Sequence, residues 1–401
     1  MSARALRAAV AALAAAAVVA ASAAEPAWGS LPRPKLQASA AIAIDAGSGE
    51  VLYQRDADET HAIASTTKLM TALLALERAD LGDFFTAPAY HAGPLESKID
   101  LRKGERMRVR DLLKAMLLAS ANDAAATIAK GISHSTRAFV AQMNRRAQQL
   151  ALDETRYSNP VGFDDPGNYS SARDLATLAR LLLRDRRFAH IVNLPSAQLR
   201  SGAKHRTVVN RNDLVRRLPF VDGVKTGHTQ RAGYVLVGAA KGQGAQIVSV
   251  VLGEPSEGAR DDDSLALLRY GVDQFHRLRA LAARRSVAHA DIEGRSGRVG
   301  LAPARDAFVT VRRGERVARR IDAPGELKGP LPAGHQVGSV KLVYRGRVVR
   351  TVPLVTARAV PRASIAHRLL SGLAVPLILL AALAFVFVAA RTRARTRGTT
   401  R

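Results

Sequence analysis

A chain of 401 residues, 47% of them hydrophobic, can form one sizeable globular body and a smaller one. It has no cysteine, which excludes disulfides, thiolate metal sites and thiol catalysis. The net charge of +26 would suit a polyanion, yet residues 38–276 carry 31 Lys/Arg against 27 Asp/Glu while residues 277–401 carry 25 against 6.

Residues 1–24 hold Arg4 and Arg7, an Ala/Val run and then "ASAA", the layout of a secretory signal expected to be cut after Ala23 or Ala24. The Pro-rich stretch 25–37 reads as a linker. "AAIAIDAGSGEVLYQRD" alternates around Gly-Ser-Gly and predicts a hairpin. Helical periodicity follows from Ser65 to about Arg187, in "KLMTALLALERA", "VRDLLKAMLLAS", "DAAATIAKGI", "TRAFVAQMNRRAQQLAL" and "ARDLATLARLLLRD". "YVLVGAAKGQGAQIVSVVLG" gives two strands, and "DDSLALLRYGVDQFHRLRAL" a closing helix. This order predicts an α+β fold over 38–276, an antiparallel sheet covered by helices with an inserted all-helical region.

Short β-type runs with Gly/Pro punctuation predict a small all-β domain over 285–360. Residues 371–390 are uncharged, long enough for one C-terminal transmembrane helix. The tail 391–401 has five arginines and no acid, so the positive-inside rule assigns it to the cytoplasm. The expectation is a single-pass membrane protein with its body outside the cytoplasm. There, and with few aromatics among its basic residues, nucleic acid is not an expected partner. The basic segment 277–368 is expected to be a pedestal drawn to anionic lipid or wall polymer, the alternative being an arginine-rich composition with no partner.

Three short motifs carry chemistry. Ser65 and Lys68 form S-x-x-K at a helix start, one turn apart on one face. A serine needs a base, and lysine serves only if burial or a neighbouring cation keeps its amine neutral. The same pair could equally be a helix cap and a solvated lysine, and "SGAK" (201–204) also matches. Ser120 and Asn122 form S-x-N between helical segments, where either could cap the next helix. Lys225, Thr226 and Gly227 precede a strand and could be an ordinary turn. All three motifs in this order are far more specific than any one.

Together with "IDAGSGEVLY", "TRYSNPVGFDDPGNYSSARDLATLAR" and "GVKTGHTQRAGYVLVGAA", they make residues 40–276 resemble the D-alanyl-D-alanine carboxypeptidases, low-molecular-weight penicillin-binding proteins of the active-serine class. The segment 288–356 resembles the family's C-terminal domain more loosely, and the spanning segment departs from relatives that end in an amphipathic helix. The resemblance implies attack by Ser65 on the D-alanyl-D-alanine carbonyl of peptidoglycan stem peptides, with Lys68 as base. It implies a proton relay by Ser120, amide binding by Asn122, and positive potential from Lys225. Thr226 would bind the terminal carboxylate, the backbone of Ser65 and His228 the oxyanion, and Arg260 the carboxylate as well, unless Arg260 only pairs with Asp261–Asp263. β-Lactams would be covalent inhibitors. No cofactor is implied, and no metal-ligand spacing is present.

An endopeptidase acting on cross-links would use the same residues. A β-lactamase would need an efficient way to activate the deacylating water, and the region where one class places its glutamate, "LDETRYSNPVGFDD", follows the carboxypeptidase pattern. A non-catalytic wall-binding or β-lactam-sensing module would have no need of the intact serine and lysine set.

Overall fold

The computed structural model describes residues 31–94 and 96–364, together with Ala384. They fall into two compact units that divide in sequence between His276 and Arg277. The signal segment, the apolar segment 371–390 save Ala384, and the tail 391–401 lie outside the described residues. Among the described residues, no helix is long and apolar enough to cross a membrane.

The first unit opens with the expected hairpin, β1 (Ala40–Asp45) and β2 (Val51–Arg55). After the short β3 (His61–Ala62) and a 3₁₀ turn over Ala64–Thr67, α1 runs Lys68–Arg78. The pair β4 (Phe84–Thr86) and β5 (Arg106–Arg108) precedes α2 (Val109–Leu118), α3 (Asn122–Ser133) and α4 (Thr136–Gln149). Then come β6 (Tyr169–Ser170), α5 (Ala172–Leu182), α6 (Arg186–Val192), the hairpin β7 (Ser196–Leu199) and β8 (Arg206–Val209), and α7 (Asp213–Arg217). The unit closes with β9 (Val221–Thr229), β10 (Gly233–Gly242), β11 (Ala245–Glu254) and α8 (Glu257–Asp273).

The main sheet has the order β2-β1-β11-β10-β9 and is antiparallel, so the N-terminal hairpin pairs with the last strands of the unit. Both sheet faces are buried, which explains the near-continuous apolar runs of β10 and β11. Val235, Val237, Val248 and Val250 face a core shared with the helical lobe, including Leu69, Met70, Leu112 and Leu113. Leu236, Ile247 and Val251 face the other way, onto Leu267 and Leu268 of α8.

Two sequence expectations are corrected. The closing helix ends at Asp273, and "FHRLRAL" is instead β12 (Phe275–Leu281), whose burial pattern begins to alternate as a strand's does. Lys225–Gly227 do not precede a strand; they lie within β9.

In the second unit, β13 (Ala288–Ile292), β14 (Arg298–Pro303), β15 (Ala307–Arg312), β16 (Ala318–Asp322), β17 (Glu326–Leu327), β18 (Gln336–Tyr344) and β19 (Arg347–Thr356) follow. Six of these form one sheet, β16-β18-β19-β14-β13-β17, and β15 pairs with β12. Val309, Val311, Val340, Leu342, Val352 and Leu354 make its principal core.

One buried ion pair ties the β4–β5 connection to β8. Glu105 and Arg206 are 3% and 7% exposed at their side chains, and the guanidinium donates to both carboxylate oxygens at 2.8 and 3.0 Å. Burial would push the Glu105 carboxyl up, but Arg206 and the N–H groups of Ala203 and Arg102 hold it down at about 2. A carboxyl lowered in the fold stabilises it above the unfolded pKa and loses that contribution as pH falls from about 4.5 toward 2. Glu105→Gln leaves Arg206 buried without its counter-charge, so urea denaturation at pH 7 should show a loss of about 3 kcal/mol. The substitution should also flatten the decline in stability below pH 4.5.

Candidate active site

The three motifs converge on one cleft of about 610 Å³ lined by Ser65, Ser97, Ser120, Thr226, Gly227, His228, Arg211 and Arg260, among others. Neither serine motif is a helix cap. Ser65 lies in the 3₁₀ turn before α1, which starts without a side-chain cap, and α3 likewise begins at Asn122 with no side-chain cap. Five other helices are capped by Ser135, Ser171, Asp185, Asn212 and Ser256, while α2, like α1 and α3, has no side-chain cap. The rival match "SGAK" is structural, since the Ser201 hydroxyl donates to Asp111 at 2.6 Å and Lys204 is exposed.

Lys68 is fully buried, and its Nζ hydrogen-bonds Ser65 Oγ at 2.8 Å and the Val161 carbonyl at 2.5 Å. Burial lowers its proton affinity well below the ordinary lysine value, and the charges of Lys225 and Arg211 lower it further, against an opposing pull from Glu96. A neutral amine has two N–H bonds and one lone pair. With an N–H given to Val161, its lone pair can accept the Ser65 hydroxyl proton.

The segment that brings the Val161 carbonyl here was not singled out as part of the site. Asn159 Oδ1 accepts from the N–H groups of Val161, Gly162 and Phe163 at 3.2, 2.7 and 3.0 Å, winding the loop around one side chain. Thr71 donates to Pro160 O at 2.8 Å, and Asn168 Nδ2 to Thr67 Oγ1 at 3.0 Å, fastening that loop to α1 and to the 3₁₀ turn before it. Gly162 has φ +91, and a Cβ there would lie 2.0 Å from the Ala64 carbonyl oxygen.

On the sheet side, Lys225 pairs in register with Val237, whose side chain enters the core shared with the helical lobe; directly opposed residues share a face. Lys225 is thereby sent inward, 1% exposed, with Nζ donating to Thr226 O at 2.7 Å. Burial, then Arg211 and Arg260, lower its pKa to about 7. Gly227 carries no side chain because none fits: a Cβ would lie 2.9 Å from the Ser65 backbone nitrogen. His228 is exposed and stacks on Tyr234, ring centroids 4.0 Å apart. Ser120 adopts φ +61 in the connection between α2 and α3 and is 4% exposed. Asn122 is held through Nδ2 to Glu96 Oε2 at 3.0 Å.

Arg260 lines the cleft and is also paired, to Asp261 Oδ1 at 2.7 and 2.9 Å and to Glu257 at 2.8 Å. The pairing expected at the helix start is therefore present, and it leaves Arg260 at the wall of the cleft. Arg211, which no motif contains, is exposed in the same cleft, and its guanidinium makes no hydrogen bond or ion pair among the described residues. Only its position beside the motifs, set by the backbone bond from Arg211 N–H to Leu118 O at 3.0 Å, marks it out. No group of three or more potential metal ligands occurs among the described residues.

Two outcomes follow from this geometry. Gly227→Ala should displace the Ser65 backbone and cut the rate of Ser65 acylation at least tenfold while the protein stays folded by circular dichroism. Arg211→Gln removes a positive charge that disfavours the Lys68 ammonium, so the acid limb of the acylation rate should move to higher pH.

Comparison with known proteins agrees with the motifs. Residues 27–256 match the family model for D-alanyl-D-alanine carboxypeptidase, and residues 285–362 that for the penicillin-binding protein 5 C-terminal domain. The D-alanyl-D-alanine carboxypeptidase DacF of Bacillus subtilis is 31% identical over 79% of this chain and 84% of its own length. DacA of Escherichia coli K12 is 30% identical over 82% and 85%. The crystal structure of penicillin binding protein 5 from Haemophilus influenzae superposes with a TM-score of 0.59 at 30% identity, covering 83% of this chain and 100% of that one. The fold is that of the penicillin-binding D,D-peptidases, and the chain belongs to the D-alanyl-D-alanine carboxypeptidase family of serine peptidases, among the low-molecular-weight penicillin-binding proteins.

Proposed function

We propose that Ser65, Lys68 and Ser120 carry out the D-alanyl-D-alanine carboxypeptidase reaction on peptidoglycan stem pentapeptides, with Asn122, Lys225, Thr226, Gly227, His228 and Arg260 binding the substrate. The observation that carries this is the fully buried Lys68 amine 2.8 Å from Ser65 Oγ. Ser65 Oγ attacks the carbonyl carbon between the two D-alanines as Lys68 takes the hydroxyl proton. The oxyanion rests on the backbone N–H groups of Ser65 and His228. The C–N bond then breaks as the proton held by Lys68 passes through the Ser120 hydroxyl to the leaving nitrogen, so that D-alanine departs and Lys68 is neutral again. Water attacks the ester as Lys68 takes one of its protons, and Lys68 returns that proton to Ser65 Oγ as the C–O bond breaks.

Substrate binding follows from where β9 lies. It is the last strand of its sheet, and an unpaired strand edge can hydrogen-bond an extended peptide. Thr226 and Arg260 take the terminal carboxylate, and Arg211 adds an uncommitted guanidinium to the same cleft.

The same reading assigns residues 38–276 to catalysis and 285–360 to a membrane-proximal module, with the body outside the cytoplasm. Its support is the apolar pattern of residues 1–24 and 371–390 and the arginines that follow. The excess of Lys/Arg over 277–368 supports contact between that module and an anionic lipid or wall polymer.

Penicillin should add once to the protein by intact-mass spectrometry, and Ser65→Ala should abolish the adduct. The wild type should also release free D-alanine from a pentapeptide. An adduct that persists in Ser65→Ala would remove Ser65 from the reaction.

A further inference from the structure

Asn122 has a neighbour that none of the motifs contains. The connection between β4 and β5 folds back so that Glu96 meets the first residue of α3. Its Oε2 accepts from Asn122 Nδ2 at 3.0 Å and from the Tyr90 hydroxyl at 2.6 Å, while Oε1 accepts from Gly93 N–H at 2.7 Å. Backbone and side-chain bonds hold the segment in place. Asn122 N–H donates to Ser97 O at 2.7 Å, and the buried Asp123 carboxylate accepts from the N–H groups of Ile99 and Leu101 at 3.1 and 2.9 Å.

We propose that Glu96 is a positioning residue for acylation, fixing the orientation of the Asn122 amide and placing a negative charge within electrostatic reach of Lys68. The inference rests on the assignment of Ser65 and Lys68 made above. A carboxylate only accepts hydrogen bonds, so the amide nitrogen of Asn122 must face Glu96. Oδ1 is therefore turned away from it and is the atom left to accept a substrate N–H. A flipped amide would set two acceptors against each other, so Glu96 excludes that orientation.

The electrostatic part concerns the strength of the base. Lys68 feels Lys225 from β9 and Arg211 from the segment before α7, and both disfavour its ammonium form, as burial does. Glu96 opposes them. A base made too weak takes a proton poorly even when it is neutral, so the opposing charge restores driving force to the transfer. Glu96 can supply that charge because it stays ionised. Burial pushes its carboxyl up, but the hydrogen bonds from Tyr90, Asn122 and Gly93 N–H hold it below the usual carboxylate range. The remaining acid in this cluster, Asp123, acts on Tyr90.

The test compares Glu96→Gln, Glu96→Ala and Glu96→Asp with the wild type in the full chain. Two readouts are taken across pH, the second-order rate of penicillin acylation and kcat/KM for D-alanine release. Loss of the negative charge lets the Lys68 amine stay neutral to lower pH. Glu96→Gln and Glu96→Ala should therefore move the acid limb of acylation to lower pH, and kcat/KM at the optimum should fall about tenfold, the scale of one charge-assisted hydrogen bond. Glu96→Asp should keep the wild-type limb. A wild-type limb in both neutral variants, whether or not their rates fall, overturns the proposal and leaves Glu96 a structural residue. Failure of penicillin to acylate Ser65 in the wild type would instead overturn the underlying site assignment.

Discussion

The active site depends on hiding a lysine from water. Lys68 is fully buried at the first residue of α1, where an ammonium would lose its hydration with no carboxylate bonded to it. The neutral amine is the form such a position favours. That form is what a serine one turn away requires of a base. Stability and reactivity thus act in the same direction at this residue, and the positive neighbours Lys225 and Arg211 strengthen the effect.

Keeping Lys68 dry and aligned draws on segments far apart in sequence. The Val161 carbonyl arrives from a loop 93 residues downstream, wound on Asn159 and fastened to α1 and the turn before it through Thr71 and Asn168. Lys225 comes from the edge strand of the main sheet, directed inward by its register against Val237. Two glycines permit these approaches, Gly162 over the Ala64 carbonyl and Gly227 against the Ser65 nitrogen. The cleft is therefore where a helical lobe meets the edge of a sheet buried on both faces, and the rigidity of each fixes the reacting groups.

Charge within the cleft is distributed with some economy. Arg260 is already matched by Asp261 and Glu257, so its guanidinium is anchored as well as positioned. Arg211 stands without such a match, and it bears on both lysines. A carboxylate entering this cleft would meet one anchored and one uncommitted cation, and its arrival would offset the potential that depresses Lys68. The charges such a carboxylate would meet are among those that set the proton affinity of Lys68.

Much of this was legible in the sequence. Period-3.6 runs located α1 to α5, alternation located the β1–β2 hairpin, and the ordered motifs at Ser65, Ser120 and Lys225 pointed to the family, because these features are local and repeat at a fixed spacing. The strand at Phe275–Leu281 was misread because "FHRLRAL" offers apolar residues at helical spacing too, and its partner β15 lies some 30 residues on. Whether Ser65, Ser120 and Asn122 were caps or chemistry could not be decided from spacing, since both uses want the same residues beside a helix start. The tertiary structure removes the cap reading, since Lys68 is buried against Ser65 and both helices start without side-chain caps. Arg211 and Glu96 carry no sequence signal, and Asn159 lies in a segment that points to the family but not to the loop it winds beside Lys68. Their roles come from long-range placement: a guanidinium set in the cleft, a carboxylate folded back onto Asn122, and a loop delivered to Lys68. Only the folded chain brings such distant residues to hydrogen-bonding distance, so only the fold could reveal them.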